Sequence, residues 1–182
     1  MFALLPGITT GQGLQPVLGF NYGAKRYDKA IRAIKIAMIA ATISCAIVFV
    51  IFYFFPEPFI RIFTTDDRLI ALSTYAAKRI FLLLYLIGFI MVGSLVFQAI
   101  GKAIQSFITS VSRSALFLIP LVFILPHFWQ LEGVWWTFPI ADASTFTLTL
   151  ILFIPQIREL EKRKHLQEIR AVTGSKALSQ GY

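Results

Sequence analysis

Long apolar runs alternate with short charged stretches along the chain. Residues 36–55 and 80–100 contain no charged residue, and residues 134–154 contain only Asp142. A helix needs about 20 mostly apolar residues to cross about 30 Å of hydrocarbon. The three runs therefore predict three membrane-spanning helices.

Two further apolar segments are less regular. Residues 107–128 contain Pro120 and Pro126, and residues 3–22 contain two prolines and four glycines. Membrane helices tolerate both residue types, because neighbouring helices pair with freed backbone groups and small residues allow close approach. We predict two more spans, of which the one over residues 3–22 is irregular. The expected fold is an all-α integral membrane protein, with a five-helix bundle over residues 1–157 and a charged tail over residues 158–182.

The composition agrees with a membrane protein. Of the 182 residues, 57% are apolar and 14% are charged, whereas soluble domains contain about 25% charged residues. The single cysteine, Cys45, excludes an internal disulfide. The net charge of +8 lies in clusters between the apolar runs, which is typical of membrane orientation signals. We therefore expect the lipid bilayer as a partner and no nucleic acid.

Lys and Arg residues are distributed unevenly between the two faces of a five-span protein. One face has five after the first predicted span, two around the start of the fourth span and six in the tail. The opposite face has four. Since Lys and Arg accumulate on the cytoplasmic side, the C-terminus should be cytoplasmic and the N-terminus external. An external start before a weak first span suggests that helices upstream are missing from this chain.

Four segments resemble one known family. Residues 11–26, GQGLQPVLGFNYGAKR, resemble the end of the eighth helix in the multidrug and toxic compound extrusion (MATE) family. In the same order, FQAIG at 97–101, RSALFLIP at 113–120 and GVWWTFPIADAS at 133–144 resemble parts of that family's tenth, eleventh and twelfth helices. The resemblance extends over nearly the whole chain.

The resemblance implies a fold and a function. MATE proteins have twelve helices in two six-helix lobes, lie in the plasma membrane and export organic cations and other drugs by alternating access, driven by proton or sodium entry. This chain would supply five helices of the second lobe, and its partner, the N-terminal lobe, would be missing. We expect a C-terminal fragment of a secondary antiporter. The alternatives are a truncated, non-transporting membrane protein that needs a partner lobe, and a lipid-linked oligosaccharide flippase of the same superfamily.

Polar residues inside the predicted spans are the candidates for a substrate pathway. Gln12 and Gln15 lie three residues apart and share one helix face, while Asn21 and Gln98 lie near span ends. Each can instead make an interhelical hydrogen bond, worth about 0.6 kcal/mol on average. Pro120 is a candidate hinge, although a static kink is the alternative.

Asp142 is the acid deepest within an apolar run. An intramembrane carboxylate costs about 2.5–3.5 kcal/mol on insertion scales and is a functional candidate by default. It can bind a proton, a cation or a cationic substrate. The alternative is a structural carboxylate that is hydrogen-bonded to a neighbouring helix, and pairing with Lys78 or Arg79 is one form of this alternative. At the end of the first span, Gly23 is expected to occupy the C′ position.

Enzyme chemistry is not expected. No pairing of a nucleophile with a base is apparent, and no phosphate-binding loop is present. We predict no catalytic residue, no metal site and no cofactor. In the MATE family a coupling acid can lie on the tenth helix, but residues 69–102 contain no Asp or Glu. The site for the coupling proton or sodium ion is therefore expected outside this chain, which should not transport by itself.

Overall fold

The protein folds entirely as helices in the part of the chain that the structure describes. A computed structural model describes residues 5–179, and these contain no strand. Residues 3 and 4 of the first predicted span and residues 180–182 of the tail lie outside this range. The helices are α1 (Leu5–Gly23), α2 (Tyr27–Phe54), α3 (Pro56–Arg61), α4 (Asp67–Ile80), α5 (Leu84–Ala99), α6 (Ala103–Val111), a π-helical segment (Ser112–Leu118) and α7 (Ile119–Ser179).

Helix α1 is regular, so the prediction of an irregular first segment is wrong. It continues through Pro16. Packing accounts for this regularity, because α1 lies against both α2 and α5 and buries Leu14 and Leu18 between them. Tertiary packing supplies most helix stability in proteins and outweighs the low helix propensity of glycine.

The end of α1 differs from the expected glycine cap. The backbone N–H of Arg26 donates to Asn21 O at 2.8 Å, and that of Lys25 donates to Tyr22 O at 3.0 Å. This is the Schellman pattern, and its left-handed residue is Lys25, with φ of 58°. Gly23 is therefore the last helical residue rather than the C′ residue.

The core lies where α1, α2, α5 and α7 meet. It includes Ile34, Phe97, Phe153 and Leu160, each at most 6% exposed. Helix α2 faces this core with a row of small side chains that includes Ala37, Ala41 and Cys45. Small residues let helix backbones approach closely within a membrane.

Two helices of the described residues are long and apolar enough to cross a membrane. They are α2 and the helical stretch over residues 103–169; α4 and α5, which bend by 48° at their junction, can form a third span together. The long stretch contains non-helical backbone at Trp129 and Gln130, so two predicted spans, 107–128 and 134–154, lie on either side of this break. Helix α1 does not meet the same test. Its assignment as a span, like the five span boundaries, stays a prediction.

The break in α7 is a tight reversal. Gln130 has φ of 48° and ψ of −131°, which a non-glycine residue rarely adopts. A side chain at Gly133 would meet Leu125 O at 2.5 Å. The glycine therefore allows the two parts of α7 to approach each other directly beside the break.

Candidate functional site

A cleft of about 290 Å³ opens between α1, α5 and the segment that joins α6 to α7. Its apolar walls include Ile90, Met91 and Leu95 from α5. Its polar lining is Gln12 from α1, Ser94 from α5, and Thr109, Ser110, Arg113 and Ser114 from α6 and the π-helical segment. Apolar walls with a few converging polar groups are typical of small-molecule sites.

Hydroxyl groups hold one wall of the cleft together. The Oγ atoms of Ser94 and Ser110 lie 2.5 Å apart, and Ser94 also donates to Ser106 O at 3.4 Å. These contacts join α5 to α6. Thr109 donates to Gln105 O at 2.9 Å within its own helix. Ser94 and Ser110 were not among the sequence candidates, because serine is common in membrane helices and only the packing of α5 on α6 brings them together.

Asp142 lies behind the cleft in a buried ion pair. Its side chain is 2% exposed, and its Oδ1 accepts a hydrogen bond from Arg113 Nε at 2.7 Å. Pairing with Lys78 or Arg79 was one form of the structural alternative, and the structure has Arg113 in that place. Sequence reasoning counted Arg113 among the loop cations, but the π-helical segment continues the helix through it. Asp142 therefore faces a guanidinium and is not an uncompensated negative charge.

Arg79 belongs to a separate cluster where α4 contacts α7. Its guanidinium carbon lies 3.5 Å from the centre of the Tyr75 ring, and its Nε lies 3.4 Å from Glu132 Oε2. Tyr75 donates to the other carboxylate oxygen at 2.5 Å and packs edge-on against Trp135. Lys78 is exposed on the same helix. Arg79 therefore pairs with Glu132 and not with Asp142.

The glutamine candidates separate into two groups. Gln12 lines the cleft. Gln15 donates from Nε2 to Gln98 Oε1 at 2.7 Å and links α1 to α5. Gln15 and Gln98 thus form an interhelical hydrogen bond, which was the alternative to a place in the substrate pathway. Asn21, near the end of α1, donates from Nδ2 to Val17 O at 2.8 Å within the same helix.

Pro120 stands at the second position of α7, directly after the π-helical segment. It has no N–H to donate into the preceding turn, and π-helical turns occur frequently at functional sites. Arg113 lies in the same π-helical segment. The role of Pro120 as a hinge stays a prediction. A bend at Pro120 would move the π-helical segment, which contributes Arg113 to the wall of the cleft.

At the opposite end of the bundle from Glu132, the tail contacts two loops. Lys102 Nζ lies 3.0 Å from Glu159 Oε2, and Arg163 Nη2 lies 2.5 Å from the other oxygen of that carboxylate. Hydrogen bonds from Lys102 and Arg163 hold the pKa of the Glu159 carboxyl below its ordinary value. Among the described residues, no group of three or more His, Cys, Asp and Glu is arranged to hold a metal ion.

Comparisons with known proteins agree on one family. The family model described as MatE matches residues 1–124. "Multidrug export protein MepA" of Staphylococcus aureus (strain N315) is 29% identical over 153 residues, which are 81% of this chain and 32% of that protein. Its counterpart in Staphylococcus haemolyticus (strain JCSC1435) is 26% identical over 145 residues, 79% of this chain and 31% of that protein.

Solved structures give the same answer. The MATE multidrug transporter DinF-BH, solved in complex with a ligand, matches with a TM-score of 0.81 and 41% identity over 85% of this chain and 35% of that one. An inward-facing MATE family transporter matches with a TM-score of 0.81 and 22% identity over 89% of this chain and 38% of that one, which shows the fold alone.

These comparisons confirm the predicted all-α membrane fold of a MATE-like transporter. The chain spans about a third of the length of the relatives that it matches. The match of the family model over more than half of the chain shows the family. The chain belongs to the MATE family of efflux transporters.

Proposed function

We propose that this chain forms part of a secondary multidrug exporter of the plasma membrane. The exporter moves amphipathic organic cations and other drugs out of the cell in exchange for protons or sodium ions. The observation that supports this most strongly is the family match over residues 1–124. The names of relatives, a multidrug export protein and a multidrug transporter, point to the same substrate class.

The cleft is our candidate for this chain's contribution to the drug pathway. Its walls contact apolar parts of a drug, while Gln12, Ser94 and Ser110 offer hydrogen bonds to its polar groups. A drug that enters this cleft meets Arg113 before it meets Asp142. We therefore assign recognition of the substrate's cationic group to residues outside this chain.

The coupling site is likewise proposed to lie outside these 182 residues. Asp142 is the acid deepest within a predicted span, and it is paired with Arg113. Helix α5 contains no Asp or Glu. We infer that proton or sodium binding takes place in the partner lobe and that the chain needs that lobe for transport.

A flippase remains the weaker alternative. Recognition of a lipid-linked pyrophosphate calls for several cationic side chains in the pathway. The cleft has one arginine in its lining, and that arginine is ion-paired. This observation favours drug export.

Efflux of ethidium, a fluorescent organic cation, from a host strain that lacks its own exporters tests the proposal. Cells receive either the gene for this chain alone or the gene with the coding sequence that precedes it in its genome. We expect the longer DNA to lower ethidium accumulation several-fold and to raise drug resistance, and the chain alone to match the empty vector. Unchanged accumulation of every organic cation tried with the longer DNA would overturn drug export. Efflux by the chain alone would overturn the need for a partner lobe.

A further inference from the structure

A second cleft lies where the tail part of α7 crosses the turn between α1 and α2. We call it the tail cleft. It has a volume of about 410 Å³ and is lined by Lys25, Tyr27, Arg163, Leu166 and Gln167. About 140 residues of sequence separate its two sides, so only the folded bundle forms it.

Contacts with the bundle hold the tail helix where it reaches this cleft. Leu160 is fully buried in the core. Glu159 Oε2 lies 3.0 Å from Lys102 Nζ, and the other oxygen of that carboxylate accepts a hydrogen bond from Arg163 Nη2. The helix therefore contacts the bundle directly before the tail residues that line the cleft.

The cleft has unbalanced positive charge. Lys25 and Arg26 are exposed, and neither makes an ion pair within residues 5–179. An adjoining recess of about 410 Å³ shares Lys25 and Gln167 and is also lined by Arg26, Lys164 and two acids, Asp28 and Glu168, so three cations face two carboxylates there. Lys164 lies 3.7 Å from Glu168. Arg163 has five N–H donors, and its contact with Glu159 leaves others for a ligand.

Apolar side chains of the tail point outward beside these charges. Leu166, which lines the tail cleft, and Ile169 are each 48% exposed. A ligand that uses both kinds of group has an anionic head and an apolar portion. Basic pockets at the cytoplasmic ends of membrane helices suit anionic lipid headgroups, and the distribution of Lys and Arg predicts this end to be cytoplasmic.

We propose that the tail cleft binds the phosphate group of an anionic phospholipid, such as phosphatidylglycerol. Lys25 and Arg163 bind the phosphate within the cleft, Arg26 adds positive charge from the adjoining recess, and Leu166 contacts the glycerol and the first part of an acyl chain. The bound lipid bridges the turn after α1 and the tail of α7. The proposal depends on charge and packing at this end of the bundle and not on drug transport.

Native mass spectrometry of the full chain in neutral detergent tests this proposal. The chain is titrated with phosphatidylglycerol and, separately, with phosphatidylcholine, at low and at high salt. We expect a clear preference for phosphatidylglycerol that weakens as salt rises. The double variant Lys25→Gln, Arg26→Gln should bind phosphatidylglycerol about thirtyfold less tightly. The matched control is Arg68→Gln, Lys78→Gln, which removes the same charge from exposed residues at the other end.

Several outcomes would overturn the proposal. The first is that the chain binds phosphatidylglycerol and phosphatidylcholine with equal affinity. The second is that the Lys25 and Arg26 variant keeps its full affinity for phosphatidylglycerol, and the third is that the control variant loses as much of this affinity as that variant does. Inorganic phosphate is the competing ligand: if it displaces the lipid at low concentration and Leu166→Ser has no effect, the site binds a free phosphate rather than a lipid. The salt and competition measurements use the unaltered chain, so they decide the question even if a variant fails to fold.

Discussion

At the scale of single residues, the pair formed by Arg113 and Asp142 has the largest energetic consequence. We expect Asp142→Asn to lower the free energy of unfolding by about 3 kcal/mol, because removing one partner leaves a buried charge without compensation. The lower end of the usual range applies, since the Arg113 side chain is 22% exposed. Thermal unfolding in detergent, followed by circular dichroism, measures this change.

Two further variants distinguish loss of this ion pair from a general effect of removing charge on the free energy of unfolding. Arg113→Met combined with Asp142→Leu should be close to neutral, because apolar residues of similar volume replace the whole pair. Glu161→Gln, at an exposed acid of the tail, should change stability by less than about 0.5 kcal/mol. A double variant that is less stable than Asp142→Asn would show that the pair is not the cause.

The hydrogen bond between Gln15 and Gln98 gives a second prediction. A double-mutant cycle with Gln15→Leu and Gln98→Leu should give a coupling energy of about 0.6 kcal/mol, the average for hydrogen bonds between membrane helices. The same cycle with Gln12→Leu and Gln98→Leu should give a coupling energy near zero, because Gln12 lines the cleft instead. Equal coupling energies in the two cycles would contradict the distinction between a structural pair and a cleft residue.

At the scale of helices, the contact between α2 and α5 depends on one glycine. A methyl group at Gly88 would lie 2.7 Å from Ala41 O, which is backbone and cannot turn aside. We expect Gly88→Ala to cost about 1–3 kcal/mol of unfolding free energy, because the helices must separate. Thermal unfolding in detergent measures the loss.

Gly13→Ala is the matched control for this prediction. It lies within α1, and a methyl group there would meet nothing within 4 Å. Alanine is the better helix former by about 1 kcal/mol, so this variant should be neutral or more stable. A loss of stability as large as that of Gly88→Ala would show that the close approach of α2 and α5 is not the reason.

Sequence reasoning succeeds for the helices whose positions depend on hydropathy. The uncharged run 80–100 predicts α5, and the run 36–55 predicts the greater part of α2. It fails where a feature depends on a partner distant in sequence. The π-helical segment places Arg113 against an acid 29 residues further along. The Schellman turn is local, and it also differs from expectation, because its hydrogen bonds place Lys25 rather than Gly23 in the left-handed position. Neither is visible in local composition.

The cleft was predictable only in part, for the same reason. Gln12 is apparent as a polar residue in an apolar segment, and it does line the cleft. Ser94, Ser110 and Arg113 become parts of one site only when α5 packs against α6. Since hydropathy describes each helix separately, it identifies residues that can be functional but not which of them face each other.

At the scale of the whole molecule, side-chain contacts form two clusters, one at each end of the helical bundle. Tyr75 and Arg79 meet Glu132 at one end. Lys102, Glu159 and Arg163 meet at the other, beside the turn after α1. The distribution of Lys and Arg along the sequence divides the loops in the same way, and it predicts that the end with the tail is cytoplasmic.

Cysteine labelling of intact cells tests this orientation. The background is Cys45→Ala, which removes the single native cysteine. In that background, His127→Cys and Phe63→Cys should react with a membrane-impermeant maleimide. Lys162→Cys and Arg26→Cys should react only after the cells are permeabilised, because the positive end faces the cytoplasm. All four positions are exposed, so burial does not limit labelling. The reverse pattern would invert the topology, and labelling of both sets in intact cells would show that the chain adopts no single orientation when expressed by itself.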